Sequence, residues 1–204
     1  METLIADPRL SQRLIDERRA RGADRFDEVW EGVYVMAPAP NDEHQDIELR
    51  LARALLDMVE EAGLGSVRAT INLAADPADW EHDYRIPDIS VFLKDTAAVC
   101  HDVFWSGPPD FVVEIVSPWD KTREKFDFYE KVGARELLVV DRDPWKLELY
   151  RLQDGKLVQT AQVTIDDAES IQSGVLPVAL RLAAGNPRPT IEMTTTDGQR
   201  NWTV

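Results

Sequence analysis

A chain of 204 residues that is 44% hydrophobic and 30% charged has the size and composition of one packed soluble domain with decorations, outside the disordered, fibrous and membrane-spanning classes. Its 38 Asp and Glu against 23 Lys and Arg leave a formal net charge of −15, the opposite of a general nucleic-acid binder's basic footprint, so a phosphate-bearing substrate must be met by a local basic patch or by metal ions. The single Cys100 excludes an intrachain disulfide and a cysteine zinc cage, and METLIADPRLSQR lacks the apolar core of a signal peptide, which makes a cytoplasmic location the expectation.

Taken in order, PRLSQRLIDERRAR (8–21) carries Leu10, Leu14 and Ile15 at helical spacing between Asp7-Pro8 and Gly22, which predicts a helix outside the core. RFDEVWEGVYVMAP predicts a hairpin turning at Glu31-Gly32, closed by Pro38 and Pro40. Asn41 is a good N-cap, and Ile47, Leu51, Ala54, Leu55, Met58 and Val59 keep a helical period from 42 to 62 before Gly63. SVRATINLA (66–74) and RIPDISVFL (85–93) each read as one strand. DFVVEIVSP follows, with a strand over 110–117 ended by Pro118; its unbroken β-branched and aromatic run marks a strand buried on both faces. DKTREKFDFYEKV predicts a second core helix, and ELLVVD (136–141) another buried strand. Hairpins are expected around Asp154-Gly155 and Asp197-Gly198, with a strand at 175–182 between them. The order from 42 to 141 implies a mixed α/β (α+β) sheet with helices on its faces.

Glu114 sits in the middle of the driest strand. An uncompensated polar group there costs about 2–7 kcal/mol, more if charged, so a cation or hydrogen-bond donors must meet it. Asp88 interrupts RIPDISVFL in the same way, and two such acids on consecutive strands would repel unless a cation lies between them. A divalent ion answers that need, and hard oxygen ligands suit Mg²⁺ or Mn²⁺. A strand-end cap or an arginine pair is the plainer reading of either acid alone. On the following helix, positions 125, 128, 129 and 132 share a face, which aims Lys125 at Glu114; Lys121 competes for that role, and a snorkelling lysine is the plainer reading. Glu31 offers a further carboxylate at a commonplace turn. His82 and His101 carry no assignment, the six tryptophans read as core or interface, and there is no glycine-rich phosphate loop or nucleophile elbow.

Pro87-Asp88, Glu114 and a nearby lysine together resemble the PD-(D/E)XK nuclease superfamily. More narrowly, the chain resembles the Uma-two family of putative restriction endonucleases over about residues 26–152. The resemblance rests on E-x-x-x-G at Glu28–Gly32, P-x-x-x-H at Pro40–His44, E-I-V-S-P at Glu114–Pro118, K-x-x-x-Y at Lys125–Tyr129 and the strand ending at Asp141. It implies a restriction-endonuclease-like fold with a four-stranded mixed sheet flanked by helices and extra C-terminal hairpins. Asp88 and Glu114 would be the Mg²⁺ (or Mn²⁺) ligands. His44, with Glu48 one turn on, would face the site as a carboxylate's partner or a proton carrier, and Asp120 and Tyr129 would orient Lys125. The superfamily lysine would fall at Val116, so Lys125 takes over its role.

The expected division is an N-terminal helical extension over 1–24, a nuclease-like domain over 25–183 and a hairpin tail packed on it over 184–204. The expected activity is a metal-dependent endonuclease hydrolysing phosphodiester bonds, with catalytic Asp88, Glu114, Lys125 and His44. Its partners would be nucleic acid, DNA before RNA, and a second copy of the chain, with no membrane. A catalytically silent module on the same fold is the rival class, favoured by the acidic charge and by Val116. A basic rim around the two acids is what separates them.

Overall fold

A computed structural model describes residues 7–117 and 121–204. Helix α1 (Pro8–Ala20) starts at Asp7, whose carboxylate accepts the Arg9 and Leu10 amides, and buries no residue. Strands β1 (Glu28–Trp30) and β2 (Val33–Val35) form the expected hairpin, with Glu31 and Gly32 both at positive φ in its two-residue turn. Helix α2 (Asp42–Leu55) is capped by the Asn41 side chain and passes into a π turn, Leu56–Glu60.

The stretch expected as a single strand over 66–74 is instead two, β3 (Gly65–Ala69) and β4 (Asn72–Ala74), which bend apart at Thr70 with φ 48° and join different sheets. The expected strand over 85–93 divides likewise into β5 (Tyr84–Arg85) and β6 (Ile89–Leu93). Pro87, which has no N–H for a ladder, lies in the gap. Asp88 is therefore not inside a strand; it stands where the two sheets part. Then come β7 (Val99–Cys100) and β8 (Phe104–Ser106), which the sequence pattern did not reveal, and β9 (Phe111–Ile115). Pro118, expected to end that strand, lies outside the described residues. The expected helix after it begins as a 3₁₀ turn, Thr122–Lys125, before α3 (Phe126–Val132). Strands β10 (Glu136–Arg142), β11 (Trp145–Gln153) and β12 (Lys156–Thr164) follow, then β13 (Ile171–Gln172), β14 (Val178–Ala183), β15 (Thr190–Thr195) and β16 (Asn201–Thr203).

The central sheet has the order β12-β11-β10-β9-β6-β3, six strands rather than the four the resemblance implied, and is mixed because β9 and β10 run parallel. A second sheet, β2-β1-β5-β4-β8-β7, walls one side, and β13–β16 form an antiparallel third. Strand β9 shows how this places the acid. Phe111, Val113 and Ile115 pack into the α2 core, whereas Val112 joins the core under α3. The period-2 alternation puts Glu114 on the α3 side, where burial is equally complete.

Asp27 fastens the second sheet's outer edge. Buried to 1% exposure, its carboxylate accepts Arg18 Nε and Nη2, both at 2.6 Å, the Tyr34 hydroxyl at 2.8 Å and the Ala37 amide at 2.8 Å. Replacing it strands Arg18 against a dry wall. Asp27→Ala should destabilise the protein by about 3 kcal/mol in urea unfolding, the low end for breaking a buried pair because Arg18 keeps some solvent.

Candidate active site

The cleft between the central and second sheets holds about 510 Å³ and is lined by His44, Glu48, Asp88, Glu114, Lys121 and Lys125, with Glu28, Trp30 and Ser117 among its walls. All four residues expected to act together are therefore in one place, delivered by four segments. Asp88 comes from the break before β6, Glu114 from β9, His44 from the first turn of α2, and Lys125 from the end of the 3₁₀ turn.

What meets Glu114 is double. Its Oε1 accepts from Lys125 Nζ at 3.1 Å and from the Tyr129 hydroxyl in a short hydrogen bond. Burial raises the Glu114 carboxyl and repulsion from Asp88 and Glu28 adds to this, while Lys125 and Tyr129 pull the other way and favour the ionised form. Burial alone would lower Lys125, but Glu114, Glu28 and Asp88 outweigh it and hold the group above its usual range. Lys125 is a permanent ammonium here. It can balance negative charge but cannot serve as a base.

Asp88 Oδ2 accepts the Ile115 amide at 2.6 Å and Oδ1 faces His44 Nε2 at 3.0 Å. His44 Nδ1 meets Ser117 Oγ at 2.9 Å, and Arg142 donates to that hydroxyl and to the Val116 carbonyl. Burial pulls the imidazole down, but the Asp88 bond and charge more than restore it, so His44 is protonated more readily than a free histidine. Glu48 lies one turn along α2, and burial and the Asp88 charge raise its carboxyl to about 7.

Among the described residues, His44, Glu48 and Asp88 offer one ligand atom each within 4.8 Å of one another, a donor set that fits a divalent ion. Glu114 is not one of that trio, although the sequence pairs it with Asp88. In the sequence Glu48 is marked only by lying one turn on from His44 and is not expected as a site residue, although its i, i+4 spacing was the available signal. Glu28 was not legible: it bonds Lys125 Nζ at 3.0 Å, a contact between two sheets that no local pattern encodes. Glu31 occupies the exposed hairpin turn and is not among the residues lining the cleft, and Asp120 lies outside the described residues. Trp30, read as core or interface, lines the cleft and donates to Glu28 Oε2.

Residues 16–185 match the model of the Uma2 family, whose description is "Putative restriction endonuclease". The chain belongs to that family. Solved structures similar to this Uma2 protein include a "putative nuclease belonging to DUF820" from Anabaena variabilis ATCC 29413, with a TM-score of 0.59 and 19% sequence identity over 74% of this chain and 83% of that one. Likeness at that identity speaks to the fold, a mixed α+β nuclease-like architecture. No protein of curated function matches the chain. Among the described residues no helix is long and apolar enough to cross a membrane.

A cation can occupy the trio only when its carboxyls are ionised. Calorimetric Mn²⁺ affinity should therefore rise from pH 6 to pH 8 as Glu48 loses its proton near 7. Because that pKa is raised above the unfolded value of 4.5, its contribution to stability runs the other way. The metal-free protein should lose stability as pH rises from about 4.5 to about 7 and level off above that.

Proposed function

We propose that this Uma2 protein is a divalent-metal-dependent nuclease that hydrolyses phosphodiester bonds, in DNA before RNA. The observation that carries the reading is the convergence of Asp88, Glu114, Lys125 and His44 in one cleft at the parting of two sheets. Asp88, with His44 and Glu48 or with Glu114, would hold the ion; carboxylates suit Mg²⁺ and Mn²⁺, and an imidazole in the set favours Mn²⁺. When bound, such an ion supplies Lewis acidity and makes water a nucleophile near neutral pH. The remaining work falls to the chain. Lys125, fixed as an ammonium, offsets the negative charge that develops on the phosphoryl oxygens. Where Asp88 and Glu114 hold the ion, His44 in its imidazolium form donates from Nδ1 to Ser117 and from Nε2 to Asp88, so it orients the acid and can carry a proton at Nε2; where His44 is itself a ligand, its imidazole is neutral. Val116 is no obstacle, because Lys125 brings its ammonium to Glu114 from the turn that precedes α3.

A cleavage assay on DNA and RNA panels with Mn²⁺, Mg²⁺ or chelator tests the reading. Asp88→Ala, Glu114→Ala and Lys125→Ala should each lower kcat by about 10²–10³-fold, the usual cost of losing one electrostatic group at the reacting centre. Activity equal to wild type in all three, or undiminished by chelator, would overturn it and leave the silent module.

A local arm would supply the basic rim. Residues 8–25 hold six arginines and three acids in a chain of net charge −15. Arg18 ties that arm to Asp27 and to the Ala37 carbonyl on the cleft wall, and Arg25 lies 5.4 Å over the ring of Phe26, another wall residue. Arg19, Arg21 and Arg25 are exposed. In the triple alanine variant of those three, the slope of log affinity for an oligonucleotide against log salt should shrink by about 0.7–0.9 for each phosphate that the arm no longer neutralises.

A further inference from the structure

Glu28 stands outside both carboxylate sets named for the ion, yet it is only 5% exposed and receives donors from three separate segments. Its Oε1 accepts Lys125 Nζ at 3.0 Å and the Ile86 amide at 2.7 Å, and its Oε2 accepts Trp30 Nε1 at 2.6 Å. It belongs to β1 in the second sheet, whereas Lys125 and Glu114 serve the central sheet. From these contacts we infer that Glu28 is a positioning residue, which holds the Lys125 ammonium midway between the two sheets and anchors the Ile86–Asp88 turn. The inference rests on the cleft being a divalent-metal hydrolytic site.

The distances state what that position does. Lys125 Nζ is 3.0 Å from Glu28 and 3.1 Å from Glu114, so one positive charge is divided almost equally between two carboxylates and fully neutralises neither. Glu114 keeps negative charge for a cation, and its Oε2 takes no hydrogen bond among the described residues. Were Glu28 uncharged, Lys125 would settle on Glu114 alone and cancel the charge that attracts the ion. The Ile86 bond adds a second effect: two residues before Asp88, it pins the backbone that aims Asp88 at His44. Glu28 therefore acts on the ion through the lysine and the turn, and not by ligating it, since its own lone pairs are largely committed.

The variant that separates charge from shape is Glu28→Gln, which keeps an acceptor for Ile86 and loses the charge that draws Lys125 away. Calorimetry with Mn²⁺ on the full chain, at a temperature where circular dichroism shows the variant fully folded, should show about tenfold weaker binding, within the range typical for residues that orient ligands. On a cleaved oligonucleotide, kcat should fall by a similar factor at unchanged KM. In a Lys125→Met background the same substitution should change Mn²⁺ affinity by less than about threefold, because a residue acting through another shows coupling in a double-mutant cycle. Unchanged Mn²⁺ affinity in the single variant would overturn the inference. So would an equal loss with and without Lys125, which would make Glu28 a direct partner of the ion. A wild type that binds Mn²⁺ but cleaves nothing would instead overturn the hydrolytic reading, with the binding cycle still deciding the role of Glu28.

Discussion

A carboxylate on a strand buried on both faces has to be given a cation, and the arrangement around Glu114 answers that requirement. Lys125 and Tyr129 lie one helical turn apart on the segment that crosses above β9, and both deliver their polar atoms to the same oxygen. The α3 core beneath Phe128 and Val132 fixes that segment. The pairing Glu114–Val139–Glu148 across β9, β10 and β11 repeats the device two strands away, where Arg123 on the same 3₁₀ turn meets buried Glu148. One short turn is thus pinned at two points to one row of the sheet. Such pairs are costly to break once made, because either partner left alone is a bare charge in a dry wall.

The elements legible in the sequence were those specified by neighbours along the chain. The α2 stripe, the Asn41 cap, the Glu31-Gly32 and Asp154-Gly155 turns and the dry run of β9 all follow local rules, and the structure has them. Lys125 was legible for the same reason, from the face it shares with Phe128 and Tyr129. The splitting of two expected strands was not. Ala69 pairs with β6 while Leu73 pairs with β5 and β8, and nothing within 66–74 says that its halves belong to different sheets. The break at Ile86–Asp88 is the other half of the same event. Glu28 illustrates the limit most directly: it was visible as a motif residue, but its partner is nearly a hundred positions away and its chemistry comes from that partner.

Charge tells a similar story at a larger scale. The total of −15 argues against nucleic acid, yet charge acts over a Debye length of roughly 8–10 Å, and what counts for a phosphate is the field at the cleft. There Arg25 of the arm, whose charge acts on Glu48, and the lysines at the floor stand against four acids, some of which a cation would neutralise. In the nuclease reading proposed above, an acidic remainder would penalise the long contacts of sequence-indifferent binding and leave the neighbourhood of the cleft as the favourable place for a polyanion.

The parting of the strands at Thr70 and Pro87 also divides the labour of change. Every acid proposed to hold an ion sits on the central sheet, on the break at its edge or on α2, whereas the opposite wall of the cleft is built largely from the β1–β2 hairpin and the chain running to Pro40. That wall can be lengthened, repolarised or reshaped at its exposed turn without repacking the sheet that carries the chemistry, provided Asp27 and Glu28 stay. If the cleft is the hydrolytic site proposed above, the fold separates what is hydrolysed from how, and rewriting about fifteen residues would change specificity while the acids stay untouched.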